Sequence, residues 1–185
     1  MGKLTGKKVA ILVTDGFEQV ELTGPKQALE DAGAITHIVS PKDDKVKGWD
    51  KTDWGKEFTV DVVLSNASAN DYDALVLPGG QINPDKLRIE NQAIAFIKAF
   101  NDQLKPIAAI CHGPWTLIEA GLVSGRIITS YPSIQTDLKN AGAHWVDQEV
   151  VIDHGIITSR NPDDIPAFNE KIIEEIAKVS EVAHA

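Results

Sequence analysis

Cysteine is almost absent from this sequence: one residue, Cys111, stands among 185. A single thiol excludes an internal disulfide framework and cannot supply a zinc finger, which fits a reducing compartment. Long apolar runs are missing as well. The run Val9–Val13 is too short to cross a bilayer, no hydrophobic leader precedes a cleavage site, and Gly6 occupies the place where a myristoylation signal wants Ser or Thr. Aromatic residues are scarce at 6%, and no Lys/Arg run occurs. The net charge of −9 disfavours phosphate backbones and anionic membranes, so neither nucleic acid nor membrane is an expected partner. No G-x-G-x-x-G, P-loop or G-x-S-x-G motif is present, which leaves a nucleotide cofactor and a serine nucleophile unsupported. His37, His112, His144, His154 and His184 show no metal-ligand spacing. With 43% hydrophobic and 24% charged residues, the chain has a globular composition, and its length predicts one cytoplasmic domain over residues 1–185.

Short apolar runs alternate with helical patterns. Val9–Val13, Ala74–Leu77 and Ile107–Ile110 read as strands buried on both faces, with His37–Val39 and Ile127–Thr129 as weaker candidates. Ile94, Ile97, Phe100 and Leu104 form one amphipathic stripe; Ile165, Phe168, Ile172, Ile176 and Val179 form another. Leu-x-x-Ala-Gly occurs at Leu29–Gly33, Leu117–Gly121 and Leu138–Gly142, each time where a helix should end on a left-handed glycine. Val150–Ile152 and Ile156–Thr158 flank a turn at Asp153-His-Gly155 and predict a late hairpin. The alternation implies an α/β sheet covered by helices on both faces. The polar excursion Pro41–Phe58 reads as a solvated loop or hairpin, or as an interface segment through Trp49 and Trp54.

Chemistry concentrates at Ala109-Ile-Cys-His-Gly-Pro114. A strand running into Cys111 and a helix opening at Gly-Pro match a nucleophile elbow, at the sheet edge where open α/β folds bind ligands. A helix start predicts a thiol more acidic than the free value of about 8.5, whereas a buried Cys is an inert apolar residue. His112 is a base or a structural residue, and pairs with Cys111 only if the turn is sharp. Gly79 and Gly80, closing Leu77-Pro-Gly-Gly80, bring backbone amides to an oxyanion or form an ordinary turn. Glu18 and Glu21 complement a helix dipole; alternatively Glu18 stands over Cys111 as a protonated hydrogen-bond donor.

Together Asp15–Leu22, Ala74–Gly80, Ala109–Pro114, Asn140–Ala143 with Val146–Val150, and Thr158–Asn169 resemble the ThiJ/PfpI superfamily, specifically its PfpI-like intracellular protease and glyoxalase branch. The resemblance implies a flavodoxin-like three-layer α/β/α sandwich with a mostly parallel sheet, related to class I glutamine amidotransferases. It implies Cys111 as nucleophile, His112 as its catalytic neighbour, Glu18 as the acid on the sulfur, and the amides of Gly80 and His112 as the oxyanion site. A third acid from a neighbouring subunit would fall at Asn91, with Glu90 beside it. The expected activity is cofactor-independent: methylglyoxal converted to lactate, with related deglycation in stress protection. Intracellular peptide hydrolysis and a non-enzymatic cysteine redox sensor are the alternatives, and a homodimer or higher homo-oligomer is the expected assembly.

Overall fold

The computed structural model describes residues 2–182; Met1 and residues 183–185, His184 among them, lie outside the described residues. The elements in chain order are β1 (Lys8–Leu12), α1 (Gln19–Asp31), β2 (Ile35–Ser40), β3 (Lys45–Asp50), β4 (Asp53–Thr59), β5 (Val62–Val63), β6 (Ala74–Leu77), α2 (Ile82–Leu87), α3 (Asn91–Asp102), β7 (Ile107–Ile110), α4 (Pro114–Glu119), β8 (Ile127–Ile128), α5 (Gln135–Asn140), β9 (His144–Trp145), β10 (Val151–Asp153), β11 (Ile156–Ser159) and α6 (Ile165–Val182). Seven strands make one sheet in the order β10-β11-β7-β6-β1-β2-β5. All neighbouring pairs are parallel except β10–β11, the late hairpin expected around Asp153-His-Gly155.

The strand sequences are apolar throughout because each face has its own cover. Ala10 and Leu12 of β1, Leu75 and Leu77 of β6, and Ile107 and Ala109 of β7 point into a core that includes Ile97 and Phe100 of α3 and Leu117 of α4. Val9, Ile11, Ala74, Val76, Ala108 and Ile110 point the other way, toward Leu22 and Leu29 of α1 and Phe168, Ile172 and Ile176 of α6. The result is an α/β sandwich. Leu104 leaves the predicted stripe: α3 ends at Asp102, and Leu104 is 90% exposed in a left-handed turn (φ 55°). Ile127–Ile128 pairs only with β9, in a separate two-stranded sheet. The excursion after β2 is the hairpin β3–β4, in which Trp49 and Trp54 meet edge to face at 5.4 Å.

All three Leu-x-x-Ala-Gly segments end helices with the glycine at positive φ: 99° at Gly33, 71° at Gly121 and 95° at Gly142. In each, the N–H after the glycine returns to the carbonyl of the segment's leucine, as in Ala34 to Leu29. A Cβ at Gly121 meets nothing within 4 Å, so Gly121→Ala isolates the left-handed strain. It is expected to cost about 1 kcal/mol in chemical denaturation.

Candidate active site at the carboxyl edge of the sheet

The strands β7, β6 and β1 are neighbours, and their carboxyl ends converge where the strand order reverses, the usual ligand crevice of an open α/β sheet. Each end contributes one turn. After β7 the chain makes the sharp turn on which a Cys111–His112 pair depends: Cys111 has φ 62°, its N–H donates to Ser159 O (3.1 Å), and Gly113 N–H closes the turn on Ile110 O (2.9 Å). A non-glycine residue in this region is strained and held only by its surroundings. After β6, Gly79 and Gly80 leave no room for side chains. A Cβ on Gly79 falls 2.6 Å from Glu21 Oε2 and 2.7 Å from Cys111 Cβ; one on Gly80 (φ 75°) falls 2.5 Å from Gly16 O. After β1 come Gly16, Glu18 and the first turn of α1, which carries Glu21.

These turns enclose a cavity of about 470 Å³ lined by Gly16, Glu18, Glu21, Trp49, Lys51, Gly80, Gln81, Ile82, Cys111, His112, Tyr131 and Pro162. Cys111 is 7% exposed, and the backbone N–H groups of Gly80 and His112 face its sulfur. His112 Nδ1 lies 3.1 Å from Sγ, so the sharp turn brings adjacent side chains together.

The acid beside the sulfur is Glu21, not Glu18. Glu21 is fully buried; its Oε2 accepts from Gly79 N–H (2.8 Å), its carboxyl faces the Cys111 sulfur, and its Oε1 has no hydrogen-bond partner. Glu18 is the residue just before α1. It points to the hairpin, where Oε1 accepts from Lys51 N–H (3.2 Å), and it reaches only the cavity wall. The reason is helical phase: Glu21 shares the buried stripe of Pro25 and Leu29, whereas Glu18 lies outside the helix. Burial pushes the Glu21 carboxyl up to about 8, aided by the charge of Glu18 and opposed by the Gly79 amide. Burial also raises Glu18.

The surroundings of the thiol act against the expected acidification. Burial, then the Glu21 charge, push Cys111 up, against the amides of Gly80 and His112. The six-residue α4 begins only at Pro114, beyond the turn that holds the cysteine. Cys111 and Glu21 therefore titrate as a coupled pair in which one negative charge opposes a second. Burial lowers His112, with Asp137 acting against it, so the imidazole is neutral at pH 7. Glu90 lies exposed ahead of α3 and is not part of the cavity wall. Sequence reasoning missed Tyr131, whose ring stacks on His112 (4.9 Å, 24°), and Trp49, which turns from the hairpin toward the cavity. Among the described residues, no group of three or more His, Cys, Asp or Glu side chains is placed to hold a metal ion.

The sequence profile of the DJ-1/PfpI family matches residues 7–175, spanning all three turns and the helices behind them. The chain belongs to the DJ-1/PfpI family. Among family relatives, the Bacillus subtilis protein named "Putative cysteine protease YraA" is 46% identical over 166 residues, 89% of this chain and 95% of YraA. General stress protein 18 of the same organism is 45% identical over 94% of this chain and 99% of its own length. Drosophila melanogaster DJ-1beta is a solved family structure with TM-score 0.85 and 30% identity, covering all of this chain and 97% of its own. A protein from Anabaena variabilis with DJ-1/ThiJ/PfpI-like and ferritin-like domains gives TM-score 0.86 at 36% identity. It matches 91% of this chain, which spans about half (47%) of that longer one. Among the described residues, no helix is long and apolar enough to cross a membrane.

Proposed function

We propose that this DJ-1/PfpI chain is a cysteine enzyme of small reactive carbonyls. It would convert 2-oxoaldehydes such as methylglyoxal to 2-hydroxy acids, and release glycated adducts by the same chemistry. The observation that carries this reading is a sulfur at the floor of a cavity of about 470 Å³, faced by two backbone N–H groups, a buried carboxyl and an imidazole. That volume suits a compact substrate rather than a folded polypeptide.

The sulfur attacks the aldehyde carbon, and the S–H proton passes to His112 Nδ1. The developing oxyanion is met by the amides of Gly80 and His112 and takes that proton back from His112, giving a hemithioacetal and a neutral imidazole. A base then takes the C1 proton while the oxygen at C2 is protonated; the enediol collapses with a proton on C2, leaving a thioester. His112, with Nδ1 3.1 Å from the sulfur, would take this proton, and Glu21, holding its proton at neutral pH, would be the donor beside the sulfur. Water hydrolyses the thioester and restores the thiol. Glu18 serves at the wall by holding the Lys51 amide of the hairpin tip.

The test is lactate formed from methylglyoxal in the absence of glutathione. Wild type should turn over, and Cys111→Ser should lose on the order of a thousand-fold or more. Equal rates in the two proteins would defeat the proposal. The name of YraA favours a peptidase as the second reading, and a peptide-substrate screen of the same two proteins separates it. The redox-sensor reading predicts stoichiometric oxidation of Cys111 by peroxide with no turnover. We carry a homo-oligomer as part of the proposal. Trp54, 44% exposed on the hairpin, is the aromatic available to a second copy, and sedimentation at micromolar concentration gives the answer.

A further inference from the structure

Both ring nitrogens of His112 have partners in this chain. Nδ1 lies 3.1 Å from Cys111 Sγ, and Nε2 lies 3.2 Å from the hydroxyl of Ser133. Ser133 sits in the single turn Pro132–Ile134 ahead of α5, on the far side of the ring from the sulfur. There a second cavity of about 460 Å³ shares Gln81, Ile82 and His112 with the first and is bounded by Trp115 and Asp137. The imidazole cannot swing away from this line. Tyr131 stacks on one face at 4.9 Å, and Trp115 meets it edge to face at 5.1 Å. The nitrogen remote from the sulfur is thus engaged within the chain.

We propose that Ser133 is a positioning residue that completes a Cys111–His112–Ser133 line within one chain. Its hydroxyl accepts the Nε2 proton and so selects the tautomer whose Nδ1 lone pair faces the thiol. A neutral imidazole carries one N–H, and which nitrogen holds it is set by the hydrogen bond the other side offers. With the proton on Nε2, the S–H bond breaks as an N–H bond forms at Nδ1. The product is a thiolate beside an imidazolium whose Nε2–H still donates to Ser133; nothing is oxidised or reduced. The charged groups around the ring are Glu21 from α1, Asp85 and Lys86 from α2, and Asp137 from α5. Ser133 carries no charge, so removing its hydroxyl changes the hydrogen bond and leaves that field in place.

This inference rests on Cys111 as the nucleophile of the proposed function, and its test needs no substrate. Ser133 is exposed, so Ser133→Ala should fold normally. The rate of Cys111 alkylation by iodoacetamide is measured against pH for wild type, Ser133→Ala and Ser133→Thr, with the His112 ring nitrogens followed by NMR. Ser133→Ala is expected to slow alkylation at pH 7 about five-fold and move its midpoint to higher pH, with Nε2 losing its proton preference. Ser133→Thr should return the rate to within about two-fold of wild type. A Ser133→Ala profile superimposable on wild type, or a Thr variant as slow as Ala, overturns the role of Ser133 while leaving Cys111 reactive. A wild-type Cys111 inert at every pH overturns this inference and the proposed function together.

Discussion

Glu21→Gln should melt about 10 °C above wild type at pH 7 and at the same temperature as wild type near pH 4. The carboxyl is fully buried and its folded value lies at about 8, against an ordinary 4.5. Below pH 4.5 both the folded and unfolded chains hold the proton, so ionisation adds nothing to unfolding. Above that the unfolded chain releases it and the folded chain does not, and stability drains as pH rises toward 8. At pH 7 the gap is 7 − 4.5 = 2.5 units, which corresponds to about 3 kcal/mol. For a chain of this size that amounts to about 10 °C in Tm. Glutamine keeps an oxygen for the Gly79 amide and offers a permanent N–H toward the sulfur, so only the titration is lost. Removing the charge that pushes Cys111 up should also bring its alkylation midpoint to lower pH. Calorimetry of both proteins at pH 4, 5.5 and 7 decides the matter; a difference in Tm that does not vary with pH would show that Glu21 is not held protonated. A wild-type protein less stable than its own variant at the pH where it works is the trade expected of a residue kept for chemistry.

The second large effect is expected at Gly79. A methyl group there collides at once with the Glu21 carboxylate oxygen, Cys111 Cβ and Ile110 O, the last at 2.7 Å and part of a central strand that cannot yield. Gly79→Ala should cost about 3 kcal/mol, the upper end of the overpacking range. It should also displace the carboxyl from the sulfur, so that thiol alkylation loses its wild-type pH profile. Gly121→Ala is the control, since it adds the same methyl group in open space. If both variants unfold at the same denaturant concentration, the tight fit between the turns after β6 and β7 is not what holds the site.

The parts of this fold that could be read from sequence were those with local causes. Ala74–Leu77 and Ile107–Ile110 are strands with the bounds their apolar runs indicated, because burial on both faces suppresses alternation. The glycine helix ends and the turn at Asp153-His-Gly155 follow from backbone chemistry that acts over a few residues. The sharp turn at Cys111 was legible for the same reason. The choice between Glu18 and Glu21 was not, since it depends on where α1 begins. The helix starts at Gln19, and that one boundary puts Glu21 in phase with Pro25 and Leu29 and turns Glu18 toward Lys51. The buried stripe was the available signal: an acid in phase with apolar positions is the one forced inward. The direction of the Cys111 shift was also hidden, because it comes from the depth of the pocket and from Glu21, which is ninety positions earlier in the chain. Ser133 and Tyr131 reach His112 from a turn whose sequence, Tyr-Pro-Ser, advertises nothing beyond a bend.

The hydrogen bond from the Cys111 amide to Ser159 has a consequence for biosynthesis. The elbow is seated on the neighbouring strand, and that strand is translated 159 − 111 = 48 residues after the cysteine. At ribosomal speed this is a delay of roughly 2–10 s. Until then the carbonyl that fixes the turn of the cysteine does not exist. A prematurely terminated chain, or one cleaved ahead of β11, thus carries Cys111 without the backbone partner of its turn. In this fold the backbone of the elbow is complete only once β11 has joined the sheet beside β7.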